Sequence, residues 1–142
     1  MMQTEMIRIK VIGWDDGDGL LQYNVALSNG ETATELSVYG YDDMFKQFGQ
    51  ELADFPQNIE SRIKFCPMED DDSKWANYLQ FEVFCYAPNG AAAMRVQVRD
   101  GYETPYYYRC EFFILTVPAT LNRLGEQLKR WNPREGMEFV CE

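Results

Sequence analysis

Residues 78–131 read as three strands and one helix, and they constrain the fold more than any other part of the chain. Leu79, Phe81, Val83 and Cys85 fall on one face, Gln80 and Glu82 on the other. That is the two-residue period of a half-buried strand. Pro88-Asn89-Gly90 breaks it, and Asn-Gly supplies the positive φ angles of a tight hairpin. The return strand points Met94, Val96 and Val98 inward and Arg95, Gln97 and Arg99 outward, and Asp100-Gly101 marks the next turn. The third strand, 106–117, has Cys110, Phe112 and Ile114 on one face and Phe113, Leu115 and Val117 on the other. Apolar on both sides, it is expected at the centre of its sheet and covered on both faces. Pro118 then opens a helix, where its missing N–H costs nothing. Leu121, Leu124, Leu128 and Trp131 form one apolar stripe, with Lys129 and Arg130 suited to the negative end of the helix dipole.

The first half has the same grammar. Ile7, Ile9 and Val11 alternate with Arg8 and Lys10 in an opening strand. Leu21, Tyr23, Val25 and Leu27 line a second strand, Asn29-Gly30 turns it, and Thr34, Leu36 and Val38 carry a third. Asp42 or Asp43 is placed to cap a helix with the stripe Phe45, Phe48, Leu52 and Phe55, ended by Pro56. Its pattern, Phe45-x-x-Phe48-Gly49-x-x-Leu52-x-x-Phe55, matches Leu121-x-x-Leu124-Gly125-x-x-Leu128-x-x-Trp131. Each glycine lies on the buried side, where it costs about 1 kcal/mol against alanine. Close approach of the helix to its packing partner compensates. A β-β-β-α unit used twice accounts for the match. So does convergence of any helix packed on a sheet, which is the simpler account of ancestry, and both imply the same packing. Arg62 to Phe65 adds a short strand between the halves, and Met137, Phe139 and Cys141 an edge segment in the tail.

The expected fold is therefore α+β: a largely antiparallel, twisted sheet of about six or seven strands with two packed helices. The 142 residues are expected to form a single domain. A chain of this size buries roughly 70% of its unfolded surface, enough for a core without covalent staples.

No stretch carries a catalytic signature. There is no histidine, so a nucleophilic triad lacks its base and a cysteine nucleophile its imidazole. No Gly-rich phosphate loop opens either helix, and the paired carboxylates sit in turns, where solvation is their ordinary fate. Residues 14–19 (Trp-Asp-Asp-Gly-Asp-Gly) resemble the start of a calcium loop, but Leu20 stands where the third oxygen ligand belongs and no glutamate follows at the required distance. Cys66, Cys85, Cys110 and Cys141 contain no C-x-x-C pair. The expectation is a non-enzymatic protein with no cofactor and no metal. Without a signal-peptide pattern or an apolar run of membrane-spanning length, it is expected in the reducing cytoplasm.

The net charge of −10 repels nucleic acid and anionic membrane and attracts a basic protein, although solubility alone accounts for it equally well. Two loops offer recognition chemistry. One holds Glu69, Asp70, Asp71 and Asp72 beside Trp75; the other is aromatic, with Tyr102, Tyr106 and Tyr107. Tyrosine gives large contact area at low entropy cost, whereas Tyr106 and Tyr108 can equally be the start of the core strand.

Phe81 to Phe84, Asn89-Gly90, Arg95-Val96-Gln97-Val98, Phe112-Phe113, and Pro118 with Leu121, Leu124 and Leu128 together resemble small bacterial immunity proteins of the WapI-like kind. The earlier helix over Phe45 to Leu52 fits the same likeness, which spans residues 21–131 and rests on spacing. The resemblance implies a protein that binds and neutralises a toxin domain, often a nuclease, with no catalytic residues to transfer. The alternative is a ligand-binding or assembly domain acting as a homodimer through its doubly apolar strand.

Overall fold

The computed structural model describes residues 7–14, 17–67, 77–101, 105 and 107–141. Eight strands and two helices follow in the order β1 (Ile7–Trp14), β2 (Leu21–Ser28), β3 (Ala33–Gly40), α1 (Lys46–Ala53), β4 (Arg62–Phe65), β5 (Asn77–Cys85), β6 (Ala92–Asp100), β7 (Tyr108–Thr116), α2 (Pro118–Arg130) and β8 (Glu138–Cys141). The class is α+β. The strands form two antiparallel four-stranded sheets, β3-β2-β1-β8 and β4-β5-β6-β7, rather than one sheet of six or seven. The inner faces of both sheets and the buried stripes of both helices share one apolar core. No helix among the described residues is long and apolar enough to cross a membrane.

Hairpin chemistry sets the local geometry. Gly30 and Gly90 have φ of 95° and 90°, which only glycine adopts without strain. Alternation then fixes each strand's inward face, as in β4 and β8, where exposed and buried residues take turns. The tail strand pairs with β1, from Ile7↔Cys141 to Lys10↔Glu138. β8 thus forms one edge of the first sheet.

Two further expectations are corrected. β7 is an edge strand, paired on one side with β6. Phe112 and Ile114 enter the core, but Phe113, Leu115 and Val117 are 44%, 68% and 50% exposed. An apolar second face therefore reflects an uncovered surface rather than a central position. Neither Asp42 nor Asp43 caps α1: its N-cap is Phe45, with no side-chain cap bond.

The helices lie against one another through their glycines. A methyl group on Gly125 would meet the Gly49 carbonyl oxygen at 2.6 Å, and one on Gly49 would meet the Gly125 carbonyl oxygen at 2.9 Å. The expected close approach is helix to helix. Each helix also satisfies the other's terminal carbonyls, which have no intrahelical donors. Asn122 Nδ2 donates to the carbonyls of Leu52 (2.9 Å), Ala53 (3.2 Å) and Phe55 (2.7 Å). Lys46 Nζ donates to those of Lys129 (3.3 Å) and Trp131 (3.0 Å).

Rings join the helices to both sheets. Phe45 meets Tyr23 of the first sheet edge-on at 5.3 Å and stacks on Phe65 of the second at 5.3 Å. Trp131 contacts Tyr23 and, at 5.6 Å, Phe139 of β8.

Candidate functional site

Most of the residues singled out from sequence, Glu69, Asp70, Asp71, Asp72, Trp75, Tyr102 and Tyr106, lie outside the described residues. Tyr107 is described and 43% exposed, just ahead of β7. Its neighbour Tyr108 begins that strand, and its hydroxyl bonds the Thr34 hydroxyl of β3.

The structure gathers a different set at one end of the first sheet. β1 carries an irregularity between Val11 and Gly13, after which Trp14 stands opposite Leu21, itself opposite Gly40 of β3. A bulge of this kind re-aims the side chains beyond it. Trp14 ends up 60% exposed at the sheet's rim, and Tyr39 and Tyr41, flanking Gly40, are 59% and 51% exposed. Asp18 and Asp43 are exposed beside them and Asp42 is half-buried.

Arg134 ties this end together. The turn that presents it is built by Asn132, whose side-chain oxygen accepts from the Arg134 N–H at 3.0 Å. Asn132's carbonyl accepts from Glu135 and Gly136. The guanidinium then donates to Asp42 Oδ2 at 2.8 Å through Nε and to the Gly19 carbonyl at 2.9 Å through Nη2. It thereby joins the β1–β2 loop, the β3–α1 turn and the α2–β8 segment. Charge-assisted bonds of this type are stronger than neutral ones. On the loop side, Asp18 Oδ1 accepts from the Leu20 N–H at 3.0 Å, a local turn that suits aspartate.

Between these segments lies a pocket of about 290 Å³, lined by Val11, Trp14, Gly19, Leu21, Pro133, Arg134 and Met137. Its walls are mainly apolar with one cation, and its size suits a single side chain or a small group rather than a cofactor. Beneath it, buried Tyr23 donates its hydroxyl to the Tyr41 carbonyl at 2.7 Å. Burial pushes the Tyr23 phenol well above its ordinary value. Asp42 and Asp43 push the same way, and Arg134 opposes them. The phenol is thus a neutral donor that holds Tyr41's backbone, leaving that ring to solvent. Among the described residues, no three His, Cys, Asp or Glu side chains gather where a metal ion could be held.

The sequence did carry a signal for this site. Trp14 precedes two aspartates, and Tyr41 precedes Asp42-Asp43. What it lacked was the pairing that brings those two stretches to one end of a sheet. No protein-family model matches the chain, and neither a curated protein nor a solved structure does so.

Proposed function

We propose that this chain acts by binding another protein, and that the partner is a basic bacterial toxin domain which it neutralises as an immunity protein. The observation that carries the binding reading is the exposure of Trp14, Tyr39 and Tyr41 together, beside Asp18, Asp42 and Asp43. Large aromatic side chains anchor protein interfaces, and the pocket behind Trp14 accepts an apolar side chain of the partner. Excess negative charge on the chain, −10 in all, speeds encounter with a cationic surface. The toxin class follows from the resemblance to WapI-like immunity proteins.

The test is affinity capture from a native lysate at two ionic strengths, followed by association kinetics with whatever is retained. Wild type is compared with Trp14→Ala/Tyr41→Ala and with Asp70→Asn/Asp71→Asn/Asp72→Asn. Supporting results are a retained basic protein that the aromatic variant binds more weakly, and wild-type association that slows as salt rises. If only the Asn variant loses the partner, the interface belongs to residues 69–75 and not to this site. If wild type retains no basic protein, the reading fails. The exposed face of β7 favours a second property, self-association.

A further inference from the structure

The outer face of the second sheet carries a row of alternating charges. Running from β4 to β7, Arg62, Glu82, Arg95 and Glu111 pair in sequence. Arg62 Nη1 meets Glu82 at 3.1 Å, Arg95 Nη1 meets Glu82 at 3.7 Å, and Arg95 Nε meets Glu111 at 2.6 Å. Two cations and two anions leave the row neutral on a strongly acidic chain. Alongside it runs an apolar strip. Phe84 and Leu115 flank Ala93 in register, Phe113 sits edge-on to Phe84 at 6.3 Å, and Leu115 is 68% exposed. The other end of the same face is covered: Tyr78, Gln80 and Arg99 are buried. The bare part therefore centres on the apolar strip and the charge row, with Lys64 exposed in register beside Glu82 and Arg109 exposed beside Arg99.

We propose that this face is the contact between two copies of the chain, packed face to face about a twofold axis at right angles to the charge row. Closed homodimers use one self-complementary patch on both subunits. Reversing a row that reads plus, minus, plus, minus gives minus, plus, minus, plus. The axis sets Arg62 over Glu111 of the second copy and Glu82 over its Arg95, so all four positions are complementary. The same rotation leaves the strip on its own side of the row and lays it over its copy, burying Phe84, Phe113 and Leu115. A twofold axis along the row would instead put like charges together, which costs specificity energy. Edge-to-edge pairing of β7 is disfavoured, because the Phe113 carbonyl already accepts from Asn29 Nδ2 at 3.0 Å. The face is open where the edge is capped.

The experiment is sedimentation of the full chain from about 1 μM to 1 mM, the span of a weak to moderate homodimer, alongside thermal melts. Wild type is expected to dimerise within that range. Leu115→Lys, at an exposed site, is expected to melt like wild type and to weaken the dimer about tenfold or more. The inverted row, R62E/E82R/R95E/E111R, keeps every ion pair of the row within and between copies, although it removes the Arg62 guanidinium from over the Phe84 ring and sets an arginine opposite Lys64, so it is expected to dimerise with itself. Against wild type every cross-copy pair becomes like-charged, so mixed dimers should be scarce when the two are combined and tracked by a fluorescent label. A wild type that is monomeric up to 1 mM overturns the proposal. So does an unweakened Leu115→Lys dimer, or mixing of inverted and wild-type chains as free as self-association.

Discussion

Replacing Gly125 by alanine should destabilise the protein although alanine is the better helix former. In an isolated helix the change gains about 1 kcal/mol. Here the new methyl would lie 2.6 Å from the Gly49 carbonyl oxygen and 2.8 Å from the Leu52 carbonyl carbon. Relaxed contacts need about 3.5–4.0 Å, so the two helices must part by roughly 1 Å. The neighbours are backbone atoms and have no rotamer to change. Parting the helices also loosens Leu52, Leu121 and Leu128, all essentially inaccessible to solvent, and a gap of that size forfeits about a quarter to a half of each dispersion contact it opens. Overpacking typically costs about 1–3 kcal/mol, and this site belongs at the upper end. After the propensity gain, a net loss of about 2 kcal/mol remains, or about 4–8 °C in Tm for a chain of this size. Urea titration and calorimetry measure it, with the denaturant slope expected to be unchanged. Gly49→Ala should cost less, and the double variant should fall short of the sum, because helices already parted accommodate the second methyl. A Gly125→Ala protein as stable as wild type, or more so, would refute the reasoning.

Four further substitutions bear on the rest of the molecule. Asn122→Ala strips the shared donor from three carbonyls at the end of α1 and should cost about 1–3 kcal/mol, with faster amide exchange in the last turn of that helix. Leu124→Ala and Phe48→Ala each empty a buried site and should cost about 2–5 kcal/mol by chemical denaturation; two unchanged melting points would contradict the core. The raised Tyr23 phenol makes folding favour its neutral form, so its contribution is complete below about pH 10, the free tyrosine value, and is lost as pH rises beyond. Tyr23→Phe should cost about 0.5–1.5 kcal/mol at pH 7 and flatten the alkaline fall in stability, whereas parallel alkaline curves for the two proteins would show that this phenol is not responsible.

Much of the fold was legible because it is local. Alternation in β5 and β6, the Asn-Gly turns at Gly30 and Gly90, and Pro118 ahead of the α2 stripe all act over a few residues. The aromatic–aspartate stretches of the candidate site were legible, but their assembly into one site was not. Trp14 and Tyr41 come together only through the register Trp14–Leu21–Gly40. Arg134, which holds Gly19 and Asp42, comes from the far end of the chain.

The sequence by itself determined the elements, their inward faces and the α+β class, because each follows from the spacing of side chains along one segment. Tertiary structure alone decided that the strands split into two sheets, that β7 lies at an edge, and that Gly49 and Gly125 face one another. The reason is physical. An apolar side chain records a preference for burial but not which surface supplies it. Phe113 and Leu115 satisfy the pattern of a central strand and yet stand exposed, because their surroundings are set by segments whose pairing no local period encodes.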